Sequence, residues 1–248
     1  MTDTAATPTC SLRLQHRAGA VLIWPEGAPE PDPAWFDPDA LAARGRLEAA
    51  GAGRGDARRF EAGGRTLVLR HYRRGGLAQH VSQDKYLRTG LRQSRPWREL
   101  ALLTRLAAGE MPVPSPVAAR VAPVAPLSPW YRGDLLTEYL HDTRTVADAL
   151  RADGADAVDW ARIGATIAAF HSVGVDHADL NAHNILLDGA ERVYLIDFDR
   201  ARLRLGSAWQ RRNLRRLRRS LDKLSLGMGG VVFGESQWRR LLAGYRAA

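Results

Sequence analysis

His177-Ala178-Asp179-Leu180-Asn181-Ala182-His183-Asn184 runs directly into Ile185-Leu186-Leu187, and a little further on the chain reads Leu195-Ile196-Asp197-Phe198-Asp199. In pattern form this is H-x-D-L-x-x-x-N, two short apolar strands, then D-F, with Asp179 and Asp197 separated by 18 positions. Two short apolar strands in succession read as a β-hairpin, which returns the chain on itself and brings Asp197 opposite Asn184. One carboxylate and one amide carbonyl are hard oxygen donors of the kind that magnesium (Mg2+) takes. Asp179 is left over as a carboxylate able to orient a hydroxyl group and accept its proton. The plainer reading, carboxylates that only cap turns, explains one aspartate at a time. Residue type, order and spacing taken together favour the chemical one.

Outward from this stretch the texture differs on the two sides. Upstream, Ala20–Trp24, Arg65–Tyr72 and Leu135–Leu140 read as strands. Asp37 before Pro38 has the form of a helix N-cap with proline in the first turn. Residues 97–107 read as a helix with Leu100, Leu103 and Leu106 on one face. Six of the 13 prolines crowd into residues 111–129, which excludes a helix there. Closer to the central stretch, Trp160, Ile163, Ile167 and Phe170 form one helical stripe, and residues 209–224 form a strongly basic helix with Leu214, Leu217, Leu221 and Leu224 on one side. The expected organisation is α+β, with a strand-rich first part over residues 1–138 and a helix-rich second part over residues 139–248.

Composition narrows the function classes. The chain has 248 residues, 45% apolar and 25% charged, enough apolar side chain to bury a sizeable core and exclude disorder as its main state. No apolar run reaches the roughly 18–20 residues that span a bilayer. The start, Met1 to Cys10, has no secretory signal pattern. Cys10 is the single cysteine, so neither an internal disulfide nor a cysteine metal cluster is available, and a reducing cytoplasm is expected. With 34 arginines and two lysines (Lys85 and Lys223) against 27 acids, the net charge of +9 calls for an anionic partner: nucleic acid, phospholipid head groups or a phosphorylated substrate. The basic helix over 211–219 has no interleaved aromatic residue, which disfavours nucleic acid.

The central stretch resembles the catalytic and metal loops of protein-kinase-like phosphotransferases. That resemblance implies a bilobal α+β fold, with a β-rich N-lobe and a small helical C-lobe, that uses ATP and Mg2+. It also implies that the leading histidine, His177, is structural, which makes zinc binding by His177 and His183 a poor reading. It casts Asp179 as the base, and Asn184 and Asp197 as the magnesium ligands. Upstream, the glycines of Gly51-Ala52-Gly53-Arg54-Gly55 stand where kinases cover the phosphates, with Gly53 and Gly55 as candidates for backbone approach to phosphate oxygens. Arg70 stands where the strand lysine is usual, with Glu99 as its helix partner. Glu138-Tyr139-Leu140 stands at the hinge, where Glu138 and Leu140 would offer backbone groups to adenine.

Arg70-His71-Tyr72-Arg73-Arg74-Gly75-Gly76-Leu77, Arg95-Pro96-Trp97-Arg98-Glu99 and the stretch 177–184 together look like the 3-deoxy-D-manno-octulosonic acid (Kdo) kinases of the lipopolysaccharide kinase superfamily. The likeness runs from about Trp24 to about Leu224. It implies transfer of phosphate from ATP to the 4-hydroxyl of the Kdo residue on a lipid A precursor, by a monomer attached peripherally to the cytoplasmic face of the bacterial inner membrane. In this family an arginine at the Arg70 position is usual. Two features argue separately against a protein kinase. Asn181 replaces the loop lysine that neutralises the γ-phosphate, and the 49 residues after Asp199 are too few for an activation loop and a full helical lobe. The basic helix fits attraction to anionic lipid. Other readings are a heptose or small-molecule kinase on the same fold, or an inactive basic module that binds membrane or nucleic acid.

Overall fold

The protein is described from a computed structural model covering residues 11–17, 19–43, 47–49, 57–72, 86–87, 90–228 and 233–248. The chain divides into two units: residues 1–110 with 114–139, and residues 111–113 with 140–248.

The first unit is a sheet built from β1 (Leu12–Arg17), β2 (Ala20–Pro25), β3 (Glu48–Ala49), β4 (Ala57–Ala62), β5 (Arg65–His71), β6 (Tyr86–Leu87), β7 (Pro116–Pro123) and β8 (Trp130–Glu138). Its order is β1-β2-β7-β8-β5-β4-β3, with β6 paired to β8, and the pairings are antiparallel. Strand alternation sorts the side chains of β5. Leu67 and Leu69 join a buried layer with Phe36, Phe60, Leu22 and Leu136, where each buried leucine contributes about 2 kcal/mol. His71 follows in the same alternation and meets the buried Asp134 at 2.6 Å, which Arg120 also holds at 2.7 Å.

Helix α1 (Pro38–Ala43) is short and starts as its sequence predicts: the Asp37 carboxylate accepts from the N–H groups of Asp39 and Ala40. Helix α2 (Arg95–Ala108) buries Leu100, Leu103 and Leu106 together with Glu99. It comes close to β8 at Gly133, where a Cβ would stand 2.4 Å from Pro96 Cγ, so this position requires glycine.

The second unit contains β9 (Thr143–Thr145), α3 (Val146–Asp153), α4 (Trp160–Ser172), β10 (Val175–Asp176), β11 (Ile185–Asp188), β12 (Val193–Leu195), β13 (Arg202–Leu203), α5 (Gln210–Gly227) and α6 (Glu235–Ala247). The α4 stripe is buried as its periodicity predicts. Its backbone meets that of α6 directly: a Cβ on Gly164 would lie 2.0 Å from Leu241 O, and one on Gly244 would lie 2.0 Å from Ala161 O. Strands β11 and β12 form the hairpin, with β9 on the other side of β11, and β10 pairs with β13.

Candidate active site

Hairpin geometry sets the centre of the site. Ile185 pairs with Leu195, and the Ile196 N–H adds one more bond to Asn184 O at 3.1 Å. Asn184 and Asp197 therefore leave the same end of the hairpin, on neighbouring chains. The Asn184 side chain is oriented by its own loop, since its Nδ2 donates to Asp179 O at 3.0 Å. That bond leaves the amide oxygen, Oδ1, as the acceptor that Asn184 presents. Asp197 sits at φ 64°, in the left-handed region that a side chain enters at a cost of about 1–2 kcal/mol. Aspartate tolerates this better than most residues.

His177 holds the two loops in register. It is buried, and its Nε2 donates to Ile196 O at 3.0 Å, directly before Asp197. Its ring lies 5.0 Å from that of Phe198, which packs in turn on Phe170 at 5.9 Å. With Nε2 committed to a carbonyl, His177 is a structural element here. Burial lowers its pKa, so it is neutral. The His177 N–H donates to Asn213 Oδ1 at 3.0 Å, and Asn213 Nδ2 donates to Asp176 at 2.8 Å. Arg204 and Arg212 complete the surroundings of the buried Asp176 at 2.8 and 3.0 Å.

A second buried histidine, His171, donates Nδ1–H to Tyr245 Oη at 2.8 Å, because that hydroxyl donates onward to Gln210. Burial lowers the pKa of His171 to about 4. Both histidines are held neutral in the fold while the unfolded chain takes up protons near pH 6.5. Stability is accordingly full above pH 6.5 and falls as pH drops from 6.5 towards 4, with His171 accounting for a loss of about 3 kcal/mol at pH 4. Chemical denaturation at pH 4.5, 5.5 and 7 should show this slope for the native chain and a shallower one for His171→Phe. Equal slopes would refute the assignment.

Asp179 follows in the loop, 28% exposed at its side chain, and pairs with Arg216 of α5. Sequence reasoning missed this arginine because it is one of many on a basic helix. It also read the buried stripe of α5 as Leu214, Leu217, Leu221 and Leu224. The residues actually buried are Asn213, Leu217, Leu221 and Ser225, with Leu214 and Leu224 half-buried. The face is turned by about one residue because Asn213 reaches His177 and Ser220 Oγ accepts from Ala182 N–H at 3.2 Å. A polar residue four and eight positions before two buried leucines was the available signal.

In the first unit, Arg70 Nη2 pairs with Glu99, which is 2% exposed, and Tyr72 Oη donates to the same carboxylate at 2.6 Å. The Arg70 guanidinium also lies over the Tyr72 ring at 5.0 Å. Tyr72 is a further residue that the sequence reading did not single out. The Glu138 N–H donates to Ser115 O at 2.9 Å and its carboxylate takes Arg65 at 3.0 Å. Leu140 opens the second unit, where its carbonyl accepts from Thr143 Oγ1 at 2.8 Å. Gly53 and Gly55 lie outside the described residues, as do Arg73, Arg74, Gly75 and Gly76.

The donor set of the second unit fits magnesium. It offers one carboxylate, Asp197, and one amide oxygen whose direction is fixed by the bond from its own nitrogen. Neither donor is a thiolate or imidazole that would select a softer metal.

Three comparisons bear on this site. The sequence profile described as "Lipopolysaccharide kinase (Kdo/WaaP) family" matches residues 40–245. A 3-deoxy-D-manno-octulosonic acid kinase from Photobacterium profundum is 38% identical over 224 residues, covering 85% of this chain and 93% of that protein. One of the same name from Stenotrophomonas maltophilia is 40% identical over 231 residues, covering 93% and 90%. Another from Xanthomonas euvesicatoria is 43% identical over 207 residues, covering 83% and 81%. The solved structure of WaaP in complex with acyl carrier protein is alike in fold, with a TM-score of 0.54 at 19% identity over 89% of this chain and 88% of that one. With a kinase-like α+β fold and relatives of this kind along most of its length, the chain belongs to the lipopolysaccharide kinase (Kdo/WaaP) family and is an enzyme, a phosphotransferase with an alcohol group as acceptor.

Proposed function

We propose that this enzyme transfers the γ-phosphoryl group of ATP to the 4-hydroxyl of the Kdo residue of a Kdo-lipid A precursor. The observation that carries this reading is the loop geometry of the second unit. There Asn184 bonds the backbone of Asp179 with its nitrogen while its main chain pairs with the residue before Asp197. Relatives named as Kdo kinases, at 36–43% identity, support the acceptor.

Asp179 accepts a hydrogen bond from the acceptor hydroxyl, orients it, and takes its proton late in transfer. Asn184 and Asp197 hold Mg2+, which when bound neutralises charge on the phosphate oxygens. In the first unit, Arg70 binds ATP phosphates, and Glu99 and Tyr72 hold its guanidinium in one orientation. Glu138 and Leu140 offer backbone groups to adenine, and Gly53 and Gly55 cover the phosphates.

The acceptor is a lipid, and a second feature supports attachment to an anionic membrane, which for a Kdo-lipid A precursor is the cytoplasmic face of the inner membrane. Arg211, Arg215, Arg219 and Lys223 follow one another at four-residue steps on α5, all exposed. Like charges at this spacing repel, so the stripe is stabilised by an external anion. Among the described residues no helix is long and apolar enough to cross a membrane.

Purified enzyme, ATP and magnesium should add one phosphate to a Kdo-bearing lipid A precursor, read by mass spectrometry, and faster in vesicles containing anionic lipid than in zwitterionic ones. Phosphorylation of a heptosyl acceptor instead would point to a heptose kinase. No transfer to any acceptor, together with no binding of ATP, would favour an inactive basic module.

A further inference from the structure

Between Asp179 and Asn184 the loop has no lysine or arginine. Asn181 stands where a loop cation would neutralise the γ-phosphate, and its side chain is held by the loop: Nδ2 donates to Asp179 O at 2.8 Å and Oδ1 accepts from His183 N–H at 2.9 Å. The cation at the base comes from α5 instead. Asn213, Arg216 and Ser220, at i, i+3 and i+7, meet His177, Asp179 and Ala182 in turn. Three contacts along one face fix the helix against the loop, so Arg216 is held in place, unlike a loose surface arginine.

The donors of Arg216 are mostly unused. One Nη group bonds Asp179, while its Nε is buried and has no acceptor among the described residues. The side chain is 41% exposed, so its outer nitrogens are reachable. A guanidinium beside a carboxylate base, with donors to spare, matches the oxygens of a phosphoryl group in transfer.

We propose that Arg216 binds the transferred phosphoryl group, supplying from α5 the cation that the loop lacks at Asn181; this rests on the phosphotransferase reading of Asp179. In the step, the acceptor oxygen forms a bond to γ-phosphorus and the bond from γ-phosphorus to the β,γ-bridging oxygen breaks. The electron pair leaves with ADP, and the hydroxyl proton passes to the Asp179 carboxylate. Charge on the three equatorial oxygens is met by Arg216, a contact of the kind worth about 10³-fold or more in rate.

Arg216→Ala and Arg216→Lys test this beside Asp179→Ala, with kcat, KM for ATP, and separate calorimetric affinities for ATP and ADP. Arg216→Ala should lower kcat by about 10³-fold and weaken ATP about tenfold while leaving ADP unchanged. Arg216→Lys should recover part of both losses, and millimolar guanidinium should partly rescue the alanine variant. Asp179→Ala should lose kcat yet keep its preference for ATP over ADP. Equal weakening of ATP and ADP, or no rescue and no recovery in the lysine variant, would mean that Arg216 only braces the helix. If the native enzyme transfers phosphate to no acceptor, the functional reading fails, and the ATP-to-ADP preference still decides the role of Arg216.

Discussion

Asp179→Ala should lower kcat by about 10³-fold with little change in melting temperature, because the proposed base would act in the reaction while barely supporting the fold. Its side chain is 28% exposed and pairs with the half-exposed Arg216, so its removal opens no apolar core. The loop keeps its shape through other atoms: the main-chain oxygen of residue 179 still receives Asn181 and Asn184, and His177 still bonds Ile196. General-base contributions of this size are usual. Asp179→Asn, which keeps the shape and removes the proton acceptor, should be as inactive. Steady-state assays of ADP release with the lipid acceptor present, paired with thermal melts, would check both variants. Turnover near the native rate in either one would remove Asp179 as the base.

A second large effect is expected at Asp197, where function and stability should move in opposite directions. Its backbone lies at φ 64°, a conformation that suits glycine. Asp197→Gly relieves strain of about 1 kcal/mol, partly offset by the greater freedom of glycine in the unfolded chain. The variant should melt at or above the native temperature. It also removes the only carboxylate of the proposed magnesium pair, so phosphate transfer should fall by about 10³-fold and respond only to much higher magnesium. A variant that unfolds would mean that Asp197 mainly supports the fold, and one that stays active at low magnesium would mean that it is not a ligand.

Much of this was legible in the sequence where local chemistry decides the outcome. The hairpin at Ile185–Leu187 and Val193–Leu195, the α4 stripe and the Asp37 cap all follow from period and capping. The α2 leucines did too, although the helix begins two residues earlier than the apolar pattern indicates, because Pro96 serves in its first turn. Elements whose stability is tertiary were harder to see. Strand β4, Ala-Arg-Arg-Phe-Glu-Ala, is mostly polar and exists by pairing along β5. Helix α6 has a weak apolar face and is held through the close approach at Gly164 and Gly244.

The site shows the same division. Asp179, Asn184 and Asp197 are close in sequence, and their type, order and spacing single them out as candidates. Arg216 and Asn213 come from more than 30 residues away, on a helix with seven arginines or lysines, where only the spacing of Asn213 from the buried leucines marked the packed face. Their role depends on which face of α5 packs, and that is set by the polar contacts of Asn213 and Ser220 as much as by leucine burial.

The most direct measurement is paramagnetic resonance of Mn2+, used in place of magnesium, titrated into the enzyme with ATP present. The native chain should hold one tightly bound ion whose signal is lost in both Asp197→Ala and Asn184→Ala but kept in Asp179→Ala. Unchanged manganese binding when either Asp197 or Asn184 is replaced would show that these two side chains do not hold the metal.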